Sequence, residues 1–146
     1  MHHHARAASF VVSSLAALFL LASCATSPGG AARDQLAGTS WTARSIQNES
    51  LAQDAGVTIQ FGEQYRVSGN TGCNDYYGVY VVRDGQFVAR NIGATERACE
   101  DAAVMAREGR LLEILNQSES MVVDANGQLV VTGEEGRQIV FARAAS

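Results

Sequence analysis

The sequence predicts a mainly β (α+β) protein: an antiparallel, eight-stranded, barrel-like meander with one helix between strands five and six. Three observations carry that expectation. Short runs of alternating apolar and polar residues recur between Trp41 and Ala142, the period-two signature of strands with one buried face. Two pairs, Asp84-Gly85 and Asn126-Gly127, sit between such runs, where a hairpin needs residues that tolerate positive φ. A single stretch, about residues 100–115, abandons the alternation for helical spacing.

Taken in order, Leu36-Ala37-Gly38-Thr39-Ser40-Trp41 opens the folded part, and Trp41 to Ile46 is the first strand. Trp41 is the only tryptophan; it is expected in the core or plugging a barrel end, with a ligand platform as the sharper alternative. Residues 47–56 are small and polar, a loop. Val57-Thr58-Ile59-Gln60-Phe61 alternates cleanly, and Gly62-Glu63-Gln64 turns it into the third strand, Tyr65-Arg66-Val67-Ser68. Val79 to Val82 and Phe87 to Ile92 flank Asp84-Gly85; Ser120 to Asp124 and Gln128 to Thr132 flank Asn126-Gly127. Gly133 to Gly136 then turns the chain into the last strand, Gln138 to Ala142.

The helical stretch shows apolar residues at Ala102, Met105, Ala106, Leu112 and Leu115. Glu100 and Asp101 in its first turn suit the positive end of the helix dipole. Gly109 weakens it by about 1 kcal/mol relative to alanine. Its expected task is to cover one open end of the barrel.

The stretch from Val67 to Gly78 holds three glycines and Cys73. Its glycines fit a sharply turning backbone, and Asn70, Asn74 and Asp75 can satisfy backbone amides nearby. Cys73 is expected to pair with Cys99, just before the helix. Closing a loop of about 26 residues would contribute about 3 to 4 kcal/mol in the chain-entropy account. Two free buried thiols, or a reactive or metal-binding pair, are the alternatives; neither a Cys-x-x-Cys spacing nor a histidine supports the reactive reading. Asn70, Asn74, Asp75, Tyr76 and Tyr77 form the candidate interaction surface, since tyrosines with one wet end are common at binding surfaces.

Inventory excludes much chemistry. The three histidines are His2, His3 and His4, ahead of a segment expected to be removed, and the chain has no lysine. The folded part thus lacks the commonest general base, the commonest zinc ligand and any Schiff-base amine. Only paired carboxylates could carry catalysis; Asp75, Glu96, Glu100 and Asp101 cluster around the two cysteines, and a solvated acidic rim is their plainer explanation. The expectation is a non-enzyme without cofactor or metal. At net charge −4, with arginines scattered among acids, no basic stripe marks a nucleic-acid partner, and a monomer is expected.

The first residues read as an address. Arg6 precedes the short apolar run from Phe10 to Ala22, the layout of a secretory signal rather than a spanning helix. Leu21-Ala22-Ser23-Cys24 resembles the bacterial lipobox, which implies cleavage before Cys24 and lipidation of its sulfur and new amino terminus. Several acyl chains give the stable anchoring that one does not. Ala25 in place of aspartate after that cysteine favours the outer membrane. Residues 24–35, with the only proline (Pro28), read as a flexible tether.

From residue 36 onward the sequence resembles the META domain of HslJ-like envelope proteins. The resemblance lies in Leu36-x-Gly38-x-x-Trp41, Phe61, Val67-Ser68-Gly69-x-x-Gly72-Cys73-Asn74, Gly78-x-Tyr80, Thr95-x-x-Ala98-Cys99, the helix with Glu108 and Leu112, and Phe141. Glu96-Arg97 departs from the apolar residues usual there. The resemblance covers about residues 36–143 and implies an antiparallel barrel-like fold with a helix, a periplasm-facing location and an association with heat or antibiotic stress. It implies no catalytic residues. The chain then divides into a signal peptide (1–23), a tether (24–35) and a META domain (36–143). The function expected is a non-catalytic, outer-membrane lipoprotein that supports envelope integrity by binding another envelope component or a small apolar ligand. A secreted-hydrolase inhibitor presenting the 70–77 loop, and a carboxylate hydrolase, are the alternatives.

Overall fold

The computed structural model describes residues 35–144; the segment expected to be a signal peptide, Cys24 and the expected tether as far as residue 34 lie outside the described residues. The elements follow as β1 (Thr39–Ile46), β2 (Glu49–Ser50), β3 (Val57–Phe61), β4 (Arg66–Thr71), β5 (Asp75–Arg83) and β6 (Gln86–Ala94). Helix α1 (Ala102–Asn116) precedes β7 (Ser118–Val123), β8 (Leu129–Gly133), a 3-10 turn (Glu134–Gly136) and β9 (Gln138–Arg143). Each strand pairs antiparallel with its neighbour in the order β2-β1-β3-β4-β5-β6-β7-β8-β9, and β1 also pairs with β9. That last pairing closes an eight-stranded barrel. β2 is a two-residue flap on the end of β1. The expected meander, with its helix between the fifth and sixth barrel strands, is what the chain forms.

Alternation places the core. Val57, Ile59 and Phe61 of β3 are buried while Gln60 is exposed, as a strand with one wet face requires. On β1 the register against β9 shifts between Ala43 and Ser45, so Trp41, Ala43 and then Ile46, rather than Ser45, point inward. This irregularity rephases the strand as a bulge does. Tyr80 stands at the centre of an aromatic cluster, its ring 5.2 Å from Phe61 and 5.7 Å from Phe87, both edge-on. Trp41 is fully buried, donates to the Thr39 hydroxyl at 2.7 Å and carries the Arg143 guanidinium over its ring. It is core, not a ligand platform.

The hairpin signals split. Asp84 and Gly85 both take positive φ, 51° and 77°, as a two-residue turn needs. At the other pair only Gly127 does so. There the Gly127 amide donates to the Asp124 carbonyl, and the Asp124 carboxylate accepts from the amides of Asn126 and Gln128. That is a tight turn followed by a left-handed glycine, a longer loop than the sequence suggests. Tyr65, expected in a strand, sits in the β3–β4 turn at φ 61°.

The helix begins one residue after the acids. Asp101 is its N-cap, accepting from the Ala103 amide at 2.7 Å, and Glu100 precedes it, so neither lies in the first turn. Its inward face is Glu108, Leu111, Ile114 and Leu115. Ala102 and Met105 of the expected apolar face are exposed, as is Ala106. Leu111, Ile114 and Leu115 join the barrel core, and the helix touches β1, β4, β6, β8 and β9, strands spread around the barrel.

Candidate functional site

The glycine-rich corner is a four-residue turn between two paired strands, with Asn70 opposite Asp75 as the last rung. Two features force its shape. Gly72 takes φ 94°, and a Cβ there would collide with the Ala55 carbonyl and the Arg107 guanidinium, so only glycine fits. The Thr71 hydroxyl accepts from the Asn74 amide at 2.9 Å, and the Asn70 side chain accepts from the Gly72 amide at 2.7 Å. Side chains thereby satisfy amides that the ladder cannot reach.

Asn74 is turned inward and is 0 % exposed. Its carboxamide pairs with Arg97 as a peptide group would: the oxygen accepts from the Arg97 amide at 2.8 Å, and the nitrogen donates to the Arg97 carbonyl at 2.9 Å. The same oxygen accepts from the Thr95 hydroxyl at 2.8 Å. The nitrogen also lies 3.1 Å from both carboxylate oxygens of Glu108. The Thr71 hydroxyl donates to Glu108 Oε2 at 2.5 Å. Hairpin, the segment leading into α1, and α1 itself are thus joined through one side chain.

Cys73 and Cys99 form a disulfide beside this network, Cα atoms 6.1 Å apart, within the span a disulfide bridges. It clamps the same two pieces of chain that Asn74 joins. The Arg97 guanidinium donates to the Cys73 carbonyl. Glu96 and Arg97, the departure noted in the resemblance, need no apolar pocket: both are exposed, and the Arg97 backbone supplies the structural contacts.

The candidate interaction surface needs correction. Asn74 and Tyr76 are buried, at 0 % and 1 %, and turn into the domain rather than out to an exposed face. The Tyr76 ring crosses over Gly69, where a Cβ would strike it, and its hydroxyl donates to the Thr58 carbonyl at 2.6 Å. Burial pushes the Tyr76 phenol above the usual tyrosine range. Asn70 and Asp75 are paired with each other at 2.8 Å. Tyr77 is 62 % exposed but faces out from the sheet, lining a separate groove with Arg66, Ser68 and Asn91. The five residues share a hairpin, not a face.

The carboxylates divide in the same way. Asp75, Glu96 and Glu100 are exposed and Asp101 caps the helix. The buried carboxylate is Glu108, only 8 % exposed, and composition and spacing assign it no role. The signal is nonetheless present: Val104, Glu108, Leu111 and Leu115 fall at i, i+4, i+7 and i+11, so one acid interrupts an apolar stripe. Among the described residues no group of three or more His, Cys, Asp or Glu could hold a metal ion.

Asn74 and Glu108 line a cleft of about 500 Å³ between the segment leading into α1 and the helix; Ala94, Ala98, Met105 and Leu112 supply its apolar walls. Met105 is 42 % exposed there. No helix among the described residues is long and apolar enough to cross a membrane.

Comparison with solved structures agrees on the fold. The chain is similar to a protein from Burkholderia xenovorans solved by NMR, at 24 % identity and a TM-score of 0.64, over 92 % of this chain and all of that one. It is also similar to a DUF4847 family protein from Bacteroides vulgatus ATCC 8482, at 14 % identity and a TM-score of 0.53, over 78 % of this chain and 98 % of that one. Both likenesses show the fold alone. No protein of curated function matches the sequence. The META domain model matches residues 34–146, which contain the barrel, the helix and the clamped corner, and the chain belongs to the META domain family.

Proposed function

We propose that this META domain is the body of a non-catalytic, periplasm-facing lipoprotein, held to the outer membrane through Cys24 and the 24–35 tether. It supports envelope integrity under heat or antibiotic stress by binding another envelope component with the outside of its barrel.

One observation favours an envelope component over a small apolar ligand. Trp41, Phe61, Tyr80, Phe87, Leu111 and Phe141 fill the barrel, each at most 2 % exposed. A small barrel packed with its own side chains leaves recognition to its surface. The 70–77 hairpin is paired, stapled and partly inward-facing, so it does not stand out as an inhibitory loop would.

Cross-linking in intact cells tests this reading. A lipidated chain should remain with outer-membrane fractions and yield one reproducible cross-linked envelope protein. A freely soluble chain with no such adduct contradicts the proposal.

A further inference from the structure

We propose that the cleft beside Glu108 binds a basic side chain, best an arginine, projected by a partner protein. The inference rests on the envelope-binding reading above and names the chemistry of the contact.

Glu108 is 8 % exposed, and its oxygens accept from Thr71 and Asn74 only. Asn74 has two amide hydrogens, and one is directed at the Arg97 carbonyl. One amide hydrogen and one hydroxyl then serve a carboxylate with about four acceptor sites. None of the ion pairs among the described residues includes Glu108. Neither Arg97 nor Arg107 is ion-paired with it: Arg97 donates to the Cys73 carbonyl, and the Arg107 guanidinium lies beside Gly72. A buried carboxylate without a counter-charge is costly, and a cation entering from solution relieves that cost.

Met105, Leu112, Ala94 and Ala98 wall the cleft beside Glu108; exposed Glu96 and Arg97 offset each other at its rim, so the acid that draws a cation is Glu108 itself. An arginine or lysine stem packs along such walls while its head reaches an acid. Arginine suits the site better, because its planar fork can meet both carboxylate oxygens. The cleft opens to solvent, with Met105 42 % exposed, whereas small-ligand sites usually enclose most of their ligand. A side chain carried by a larger partner lets that partner cover Met105.

The test uses the full chain in a nonionic detergent, with NMR signals read from the Met105 methyl and the Asn74 carboxamide. The probes are n-butylguanidinium and its neutral analogue n-butylurea, then a short acetylated, amidated peptide with one arginine and its citrulline counterpart. Saturable shifts are expected with the guanidinium probe and the arginine peptide, the peptide binding more tightly, and none with the neutral pair. Glu108→Gln should lower the peptide's affinity at least about tenfold while keeping the disulfide and the other signals in place. Met105→Ala, which leaves the Asn74 network intact, should also weaken binding. No saturable shift, equal response to the neutral probes, a peptide no tighter than n-butylguanidinium, or an unchanged affinity in either variant overturns the proposal. If envelope cross-links persist in Glu108→Gln at wild-type yield, the site is wrong and the envelope reading stands. Cation binding without any cross-link means the opposite: the cleft is right and the envelope reading fails.

Discussion

The carboxamide nitrogen of Asn74 lies 3.1 Å from both carboxylate oxygens of Glu108, a contact between residues 34 apart in sequence. Through it the β4–β5 hairpin holds the helix that lies across the barrel. Asn74→Ala strips partners from the Arg97 amide, the Arg97 carbonyl and Glu108 at once. Buried groups left unsatisfied are what make such losses large. A stability loss of about 2 to 4 kcal/mol is expected, read by chemical denaturation. A loss below about 1 kcal/mol, the scale of one ordinary hydrogen bond, would show that the junction is dispensable.

The disulfide acts on the same two pieces of chain from outside. Cys73→Ser and Cys99→Ser should each lower stability by about 3 to 4 kcal/mol, and the double variant should be no worse than either single one. Equal, non-additive losses identify one shared bond. Clearly additive losses in thermal melts would mean that the two sulfurs act separately.

Two glycines should respond in opposite directions. Gly109 is exposed in the middle of α1, and a Cβ there meets nothing within 4 Å. Gly109→Ala should therefore stabilise by about 1 kcal/mol. At Gly69 an added Cβ strikes the Thr58 carbonyl and the Tyr76 phenol, so Gly69→Ala should destabilise by about 1 to 3 kcal/mol. Denaturation midpoints of the two variants on the same side of wild type would contradict this packing.

The barrel is legible in the sequence because strand alternation and Asp84-Gly85 are local signals, each complete within a few residues. What the sequence hides depends on distant neighbours. The inward turn of Asn74 is set by Arg97 and Glu108, and that of Tyr76 by the space over Gly69 and the Thr58 carbonyl. Neither appears in the composition of a hairpin rich in polar and aromatic residues, which looks like a surface. The helix face misleads for a related reason. Alanines and Met105 near its start mimic an apolar stripe, while Glu108 sits in the real one.

Burial holds the Tyr76 phenol above its ordinary range, so the native chain keeps that proton when the unfolded chain has begun to lose it, above about pH 10. The unfolded state then binds fewer protons, and stability falls as pH rises, by up to about 1.4 kcal/mol per unit for this group. Tyr76→Phe should lose about 1 kcal/mol at neutral pH with the hydrogen bond to Thr58 and should shed that share of the alkaline slope. An unchanged slope between pH 10 and about 11.5, measured by denaturation, would mean that the phenol titrates in the folded state.

The filled, clamped barrel is proposed to work from its outer surface on a lipid tether. Native mass spectrometry of the full chain, extracted from its own membranes, tests it most directly. The expected spectrum shows a lipid-modified Cys24, lost together with membrane retention in Cys24→Ala, and a bound envelope protein. A barrel that carries a stoichiometric apolar small molecule instead, with an unmodified Cys24, would contradict both halves of the account.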